Sequence, residues 1–174
     1  MKAFVDESYV PGVFILGMLL AVGDDESARD GLRTALRPAQ RRPHFARERP
    51  AERLRWAKIV GTLGRPLVVV TRTAPGEPME QSRGRCVAAL PFELSDDVTD
   101  VVFEARQRKQ NLHDAAVLRG IASYGPVLGF EFRTATDEPL LWAADVVAGS
   151  FLQACVRGDG SFLEELGYVR VIEL

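Results

Sequence analysis

KAFVDES, residues 2–8, is the stretch that decides the predicted fold. After Lys2 come three apolar residues, and then two carboxylates, Asp6 and Glu7. Turn residues and a second apolar run at 13–22 follow, which predicts a buried strand, a tight turn and a returning strand. Burying an unpaired charge costs several kcal/mol. An acid at the end of this strand therefore serves a metal, a cation or a reaction, unless it is only a polar strand end that meets solvent.

The rest of the chain is predicted to form two helices and then strands and helices in turn. Helices are predicted at residues 24–36, 50–63, 77–94, 111–123 and 139–156. We expect Gly64 to end the second of these helices and Pro91 to interrupt the third. Strands are predicted at residues 66–71, 98–103, 127–132 and 168–172. This order predicts an α/β fold, a mixed sheet flanked by helices on both faces, in one domain that spans residues 1–174.

Positive charge is concentrated in one part of the chain. Between Arg29 and Arg72 there are twelve lysines and arginines against three acids, whereas the residues beyond carry nine against sixteen. Nearly all the positive residues of this block are arginines, whose planar guanidinium groups match phosphate oxygens. The block therefore predicts a face that binds nucleic acid; the alternative is a solvated helix surface in an arginine-rich protein.

The cysteines and the apolar runs bear on where the protein works. Cys86 and Cys155 lie far apart in apolar helical patterns, which favours buried thiols over a disulfide. Free thiols fit a reducing cytoplasm. Acids stand where a signal peptide needs positive charge. The run at 13–22 is too short to span a membrane, and the run at 139–156 contains Asp145. We therefore expect a cytoplasmic protein without a membrane segment.

Three carboxylates stand in apolar surroundings. Asp6 ends the first strand, and Glu104 ends a later strand on the same side as Val102, because side chains alternate along a strand. Asp145 is the only charge in the helix at 139–156, and its helical neighbours on either side are apolar residues or glycine. It therefore lies on the core-facing stripe of that helix.

These acids suit divalent cations if the two strand ends are adjacent. Asp6, Glu104 and Asp145 would then share one or two ions, and oxygen ligands without a histidine or cysteine cluster favour Mg²⁺ or Mn²⁺. Two such ions about 4 Å apart stabilise the attacking and leaving oxygens of a phosphodiester. The alternative is that each acid caps a loop or pairs with a distant arginine.

Four segments carry a family resemblance. They are FVDES at 4–8, HFARE at 44–48, VVFEARQRKQNLHD at 101–114 and EPLLWAADVVAG at 138–149. In this order they resemble the domain of unknown function 3800 family over nearly the whole chain, which implies an RNase H-like fold. The resemblance also implies a metal-dependent nuclease-type site whose ligands are Asp6, Glu104 and Asp145, with Glu7 or Asp114 as a fourth.

Three further residues are candidates for contacts with nucleic acid. His44 is a candidate phosphate contact or acid/base group, or else a loop histidine without such a role. Arg106 follows Glu104 by two positions and would hold the carboxylates of the site or a phosphate, with an ordinary salt bridge as the alternative. Arg53 lies on the predicted helix that follows the HFARE segment, which is the position the resemblance singles out.

Our first hypothesis is a metal-dependent nuclease that acts on DNA or RNA. The alternative is a catalytically inactive RNase H-like module that binds nucleic acid or protein. A departure from the resembled family favours the alternative, since many members carry Gln-x-Ala-Asp where this chain has WAAD at residues 142–145. A polar contact near the site is therefore absent. A third hypothesis is metal-dependent hydrolysis of small phosphate esters.

Overall fold

A mixed sheet forms the centre of the molecule. The structure is a computed structural model that describes residues 1–23 and 25–174. Within these residues the strands are β1 (Lys2–Val10), β2 (Val13–Ala21), β3 (Gly64–Arg72), β4 (Asp100–Glu104), β5 (Gly129–Arg133) and β6 (Arg170–Glu173). They form one sheet in the order β5-β4-β1-β2-β3-β6. Only the pairs β1–β2 and β2–β3 are antiparallel, so the sheet is mixed, as predicted.

Helices cover both faces of this sheet. In the described residues they are α1 (Asp25–Thr34), a 3₁₀ helix (Phe45–Arg47), α2 (Pro50–Gly61), α3 (Met79–Glu93), α4 (Arg108–Ala122), α5 (Leu140–Arg157) and α6 (Ser161–Leu166). One core layer joins α1, α2, α5 and α6 to strand residues such as Phe4 and Val102. The other joins α3 and α4 to strand residues such as Val5 and Phe103. This alternation along β1 and β4 separates the two faces.

Helix α5 lies directly on the central strands. Gly17 of β2, which is paired with Asp6 of β1, faces Ala148 of α5. A Cβ atom at Gly17 would come within 2.6 Å of the Ala148 Cα atom, so only glycine permits this approach. The small residues of α5 therefore bring the turn that carries Asp145 close to the middle of β1, where Asp6 lies.

Two predictions about where helices end or break were wrong. Gly64 does not end α2, because that helix stops at Gly61 and Gly64 is already the first residue of β3. Pro91 does not interrupt α3. The proline lies within the last turn, where the Leu94 amide still donates to the Leu90 carbonyl, and its ring is buried with the core.

The other differences concern α1 and α6. The predicted helix at 24–36 begins with Asp24, which lies outside the described residues, and α1 ends at Thr34. No helix was predicted at Ser161–Leu166, because six residues are too few for a periodic pattern to stand out. Phe162 and Leu166 of α6 are nevertheless buried one turn apart.

Helix α5 is the segment whose length and composition bear on a membrane span. Among the described residues, α5 alone is long and apolar enough to cross a membrane, with a mean hydropathy of 1.3, but 56% of that segment is buried inside the protein. The core helix of a soluble protein has the same length and composition, so this is weak evidence for a span.

Cys86 is buried and free, as predicted. The prediction that Cys155 is buried was wrong, because the last turn of α5, residues 155–157, is exposed.

Candidate functional site

The three predicted carboxylates line one pocket. In the parallel pairing of β1 with β4, Val5 lies opposite Phe103, so the next residues, Asp6 and Glu104, lie side by side at the point where β4 ends. The prediction that Asp6 ends the first strand was wrong, because β1 continues beyond it to Val10 in its pairing with β2. Alternation directs the side chains of Asp6 and Glu104 to the face that α5 covers. Asp145 of α5 completes the acidic lining of this cavity, whose volume is about 40 Å³. A space of this size accommodates a small ion or a few water molecules.

Asp6 is the acid with the least compensation. Its carboxylate is buried and accepts a hydrogen bond from the Glu7 amide at 2.7 Å. In the part of the chain that the structure describes, no lysine or arginine nitrogen lies within ion-pair distance of it. Burial raises the pKa of Asp6 well above its ordinary value near 3.8, and the charges of Asp145 and Glu104 raise it further. The pocket therefore holds more negative charge than its own residues neutralise.

One loop supplies partners to the other two acids. The Arg42 guanidinium donates to Glu104 at 2.9 Å, and the Phe45 amide donates to Asp145 at 2.8 Å. The Nδ1 atom of His44 lies 3.3 Å from the same Asp145 carboxylate. This contact with Asp145 raises the pKa of His44, although partial burial and nearby arginines oppose the rise. The predicted alternative, an acid paired with a distant arginine, therefore applies to Glu104.

The loop is fixed in place by contacts behind the pocket. The Phe45 ring packs against Gly149 of α5 and stands edge-on to the Phe162 ring at 5.4 Å between centroids. The Arg53 side chain donates to the carbonyls of Phe45 and Ala46, at 2.8 and 2.7 Å. Arg53, predicted to contact nucleic acid, thus binds the loop backbone instead, and its guanidinium lies over the Phe45 ring.

Three predicted site residues lie on the opposite face of the sheet. Glu7 follows Asp6 and so points toward α3 and α4, where Arg83 donates to it at 2.6 Å. Asp114 is completely buried and accepts from both Arg83 and Arg106. Arg106 also forms an ion pair with Glu80 at 2.7 Å. This placement argues against Glu7 and Asp114 as ligands at the pocket and against Arg106 as a phosphate contact.

The donors of the pocket suit a divalent cation in kind. Carboxylate oxygens are the ligands that Mg²⁺ and Mn²⁺ prefer, and without a cation burial and then the neighbouring carboxylates raise the pKa of Asp6. Within residues 1–23 and 25–174, however, no group of three or more acidic, histidine or cysteine side chains is arranged to hold a metal ion. Glu104 is turned to Arg42, so a cation bound by all three acids must compete with this guanidinium.

Sequence reasoning missed Arg42 and the apolar wall of the pocket. Arg42 and Pro43 line the cavity beside His44, and Ala135, Leu141 and Trp142 form its other side. The only sequence signal for Arg42 was its position two residues before the HFARE segment. Nothing in a periodic pattern indicates that this arginine meets an acid 62 positions further along the chain.

Comparison with known proteins establishes the fold. The structure is similar to the crystal structure of the ribonuclease H2 from Pyrococcus horikoshii OT3, with a TM-score of 0.53 and 16% sequence identity. The match covers 91% of this chain and 77% of the ribonuclease chain. No protein-family model and no curated protein matches the chain. The predicted fold class, an RNase H-like mixed sheet with helices on both faces, is thereby confirmed.

Proposed function

We propose that this protein is a metal-dependent nuclease that hydrolyses the phosphodiester bonds of DNA or RNA. The observation that carries the proposal is the shared pocket of Asp6, Glu104 and Asp145, in which burial and neighbouring carboxylates raise the pKa of Asp6. Perturbed acids that converge in a cleft are typical of functional sites. The fold similarity to a ribonuclease supports the same class of reaction as a proposal for this chain.

Each residue of the pocket has a role in this proposal. Asp6, Glu104 and Asp145 would hold Mg²⁺ or Mn²⁺, which supplies Lewis-acid activation of the phosphate and a water of lowered pKa. His44 would hold a proton at Nδ1, which lies 3.3 Å from the Asp145 carboxylate at the edge of the pocket. The buried indole of Trp142 and its apolar neighbours limit the access of bulk water to the acids.

Cleavage assays test the proposal directly. Single-stranded and double-stranded DNA, RNA and an RNA–DNA hybrid are incubated with Mg²⁺ or Mn²⁺, using the wild type, Asp6→Asn and Asp145→Asn. We expect cleavage of at least one substrate that both substitutions and a chelator abolish. Cleavage that persists in both variants or in chelator would rule out this site. Hydrolysis of nitrophenyl phosphate without affinity for polynucleotides would instead favour small phosphate esters.

A second candidate is an inactive RNase H-like module that binds nucleic acid or protein. The observation in its favour is that Glu104 and Asp145 already have partners on the loop, Arg42 and the Phe45 amide. An acid pocket closed by such contacts needs no metal. Salt-sensitive binding of nucleic acid without any Mn²⁺-induced rise in melting temperature would support this candidate over the nuclease.

We further propose that the chain is a member of the domain of unknown function 3800 family and works in the cytoplasm. The four sequence segments support membership, and each of them contributes a residue to the pocket: Asp6 in FVDES, His44 in HFARE, Glu104 in VVFEARQRKQNLHD and Asp145 in EPLLWAADVVAG. The free thiols of Cys86 and Cys155 are compatible with a reducing compartment.

A further inference from the structure

The arginine block between Arg29 and Arg72 is not one positive face. Most of its guanidinium groups form ion pairs or hydrogen bonds with carboxylates or backbone carbonyls of the same chain. The arginines with such partners are Arg29, Arg33, Arg37, Arg42, Arg53, Arg55 and Arg65. An arginine whose charge is already paired releases few counterions when a phosphate approaches, so these residues contribute little to nucleic-acid binding.

Three arginines on the pocket loop differ from the seven paired ones, as does Arg72 at the end of β3. The side chains of Arg41, Arg47 and Arg49 are exposed, and among the described residues none of them has a hydrogen-bond or ion-pair partner. They flank His44, which lines the carboxylate pocket. The loop thus places unpaired positive charge on both sides of His44 in the sequence.

The loop is also held rigidly enough to present these charges. Its centre is anchored where the Phe45 amide donates to Asp145 and the Arg53 guanidinium binds two loop carbonyls. Its two arms are joined because Glu48 accepts from both Arg37 and Gln40, at 2.7 and 2.8 Å. A preorganised loop loses little conformational entropy when a ligand binds.

We propose that Arg41, Arg47 and Arg49, named here the free-arginine loop, bind the phosphates of a nucleic-acid strand and guide it over the carboxylate pocket. This inference rests on the proposed function for the identity of the ligand. A strand of phosphates fits better than a single anion, since three separate guanidinium groups on one loop match a repeating charge. The acids of the pocket repel a polyanion, so the loop supplies the attraction that the pocket lacks.

The test measures binding without catalysis. Fluorescence anisotropy follows a short labelled single-stranded oligonucleotide in chelator over a range of potassium chloride concentrations. We expect the slope of log K against log salt to become shallower by about 0.7 for each of Arg41→Gln, Arg47→Gln and Arg49→Gln. Arg33→Gln removes the same charge from an exposed arginine already paired with Asp30, and we expect it to leave the slope unchanged.

Three results would overturn the inference. A triple variant of the free-arginine loop with the slope of the wild type would show that these residues do not contact phosphate, as would an equal effect of Arg33→Gln. Binding of poly-glutamate as tightly as the oligonucleotide would assign the loop to an acidic protein instead. Because the measurement contains no metal, a protein that binds through the loop but never cleaves would refute the proposed nuclease and leave this inference standing.

Discussion

Asp6 carries a charge that the folded protein holds in unfavourable surroundings. Its carboxylate is buried beside two other acids and accepts a hydrogen bond from the Glu7 amide. A group whose pKa is raised on folding binds protons more tightly in the folded state than in the unfolded state. The free energy of unfolding therefore falls as the pH rises from about 4 through the folded pKa of Asp6.

Replacing Asp6 by asparagine should stabilise the metal-free protein at neutral pH. Asn has nearly the same shape and no charge, so we expect the melting temperature at pH 7 to rise by about 2–4 °C, which corresponds to about 1 kcal/mol for a chain of this size. The advantage should shrink as the pH falls toward 4, where the wild-type carboxyl is also neutral. Calorimetry of both proteins across this range checks the prediction. A variant that is less stable than the wild type at pH 7 would show that the ionised acid is stabilising.

Some of the residues of the site, but not their partners, could be predicted from the sequence. Asp6 and Glu104 could be predicted to share a face, because alternation along a strand is a local rule. The partners of the acids could not be predicted, since the contact between Arg42 and Glu104 depends on the path of a loop. The same limit explains why Arg53 and Arg106 were assigned to nucleic acid, although both bind groups within the protein.

At the scale of elements, the site depends on how the loop rests on α5. Gly149 leaves space for the Phe45 ring, and this contact places the Phe45 amide where it donates to Asp145. The apolar residues and glycine beside Asp145 were evident in the sequence of α5, but the groups that they contact were not. Ala148 meets the sheet at Gly17, whereas Gly149 meets the loop, and a helical pattern alone does not separate these two contacts.

Gly149→Ala should loosen the loop and destabilise the protein. A Cβ atom at this position would overlap the Phe45 ring, which is buried and has no room to move. Overpacking of this kind costs about 1–3 kcal/mol. Gly120→Ala in α4 is the matched control, because nothing lies within 4 Å of the added atom, and there we expect a gain of about 0.5–1 kcal/mol. Urea unfolding of both variants compares them. Equal effects at the two glycines would contradict the assigned packing.

A buried ion network on the opposite face ties α3 and α4 to β1. Asp114 and Arg83 are almost inaccessible to solvent, with 0% and 1% exposed, and Arg83 also reaches Glu7. Removing one member of a buried pair leaves the other charge without compensation. We expect Asp114→Ala to lower the free energy of unfolding by about 3 kcal/mol.

The exposed pair of Arg33 and Asp30 is the control for this network. Asp30→Ala should change the free energy of unfolding by less than about 1 kcal/mol, because solvent screens the pair. Denaturant titrations at neutral pH measure both changes. A small effect at Asp114 would mean that this acid is not needed for stability. The prediction that it is a metal ligand would then have to be tested again.

The whole molecule distributes two kinds of polar chemistry over the two faces of one sheet. On the face of α3 and α4, Arg83 and Arg106 neutralise Glu7 and Asp114, and the pair of Arg83 and Asp114 is sealed from solvent. On the face of α5, Asp6 and its neighbours open into a pocket next to the loop with unpaired arginines. The fold class followed from the order of strands and helices, but this division did not, because residues adjacent in the sequence belong to opposite faces.

This division makes the response to Mn²⁺ the most discriminating property of the whole protein. A cation bound by Asp6, Glu104 and Asp145 would join the middle of β1 and the end of β4 to α5, and so stabilise the folded state as a unit. At a hundredfold excess over Kd the stabilisation is about 2.7 kcal/mol. For a chain of this size we expect a rise in melting temperature of about 5–10 °C.

Four variants separate the possible ligand sets. Asp6→Asn and Asp145→Asn should lose the Mn²⁺-induced rise, whereas Asp114→Asn should keep it despite a lower starting stability, because its side chain lies on the other face. Arg42→Gln should strengthen the response at low Mn²⁺, since Glu104 is released from the competing guanidinium. Differential scanning fluorimetry over a range of Mn²⁺ concentrations measures all four. If the wild type shows no rise while Arg42→Gln does, the Arg42 contact holds the pocket closed; if neither responds, the acids do not bind a metal and the inactive module is the better account.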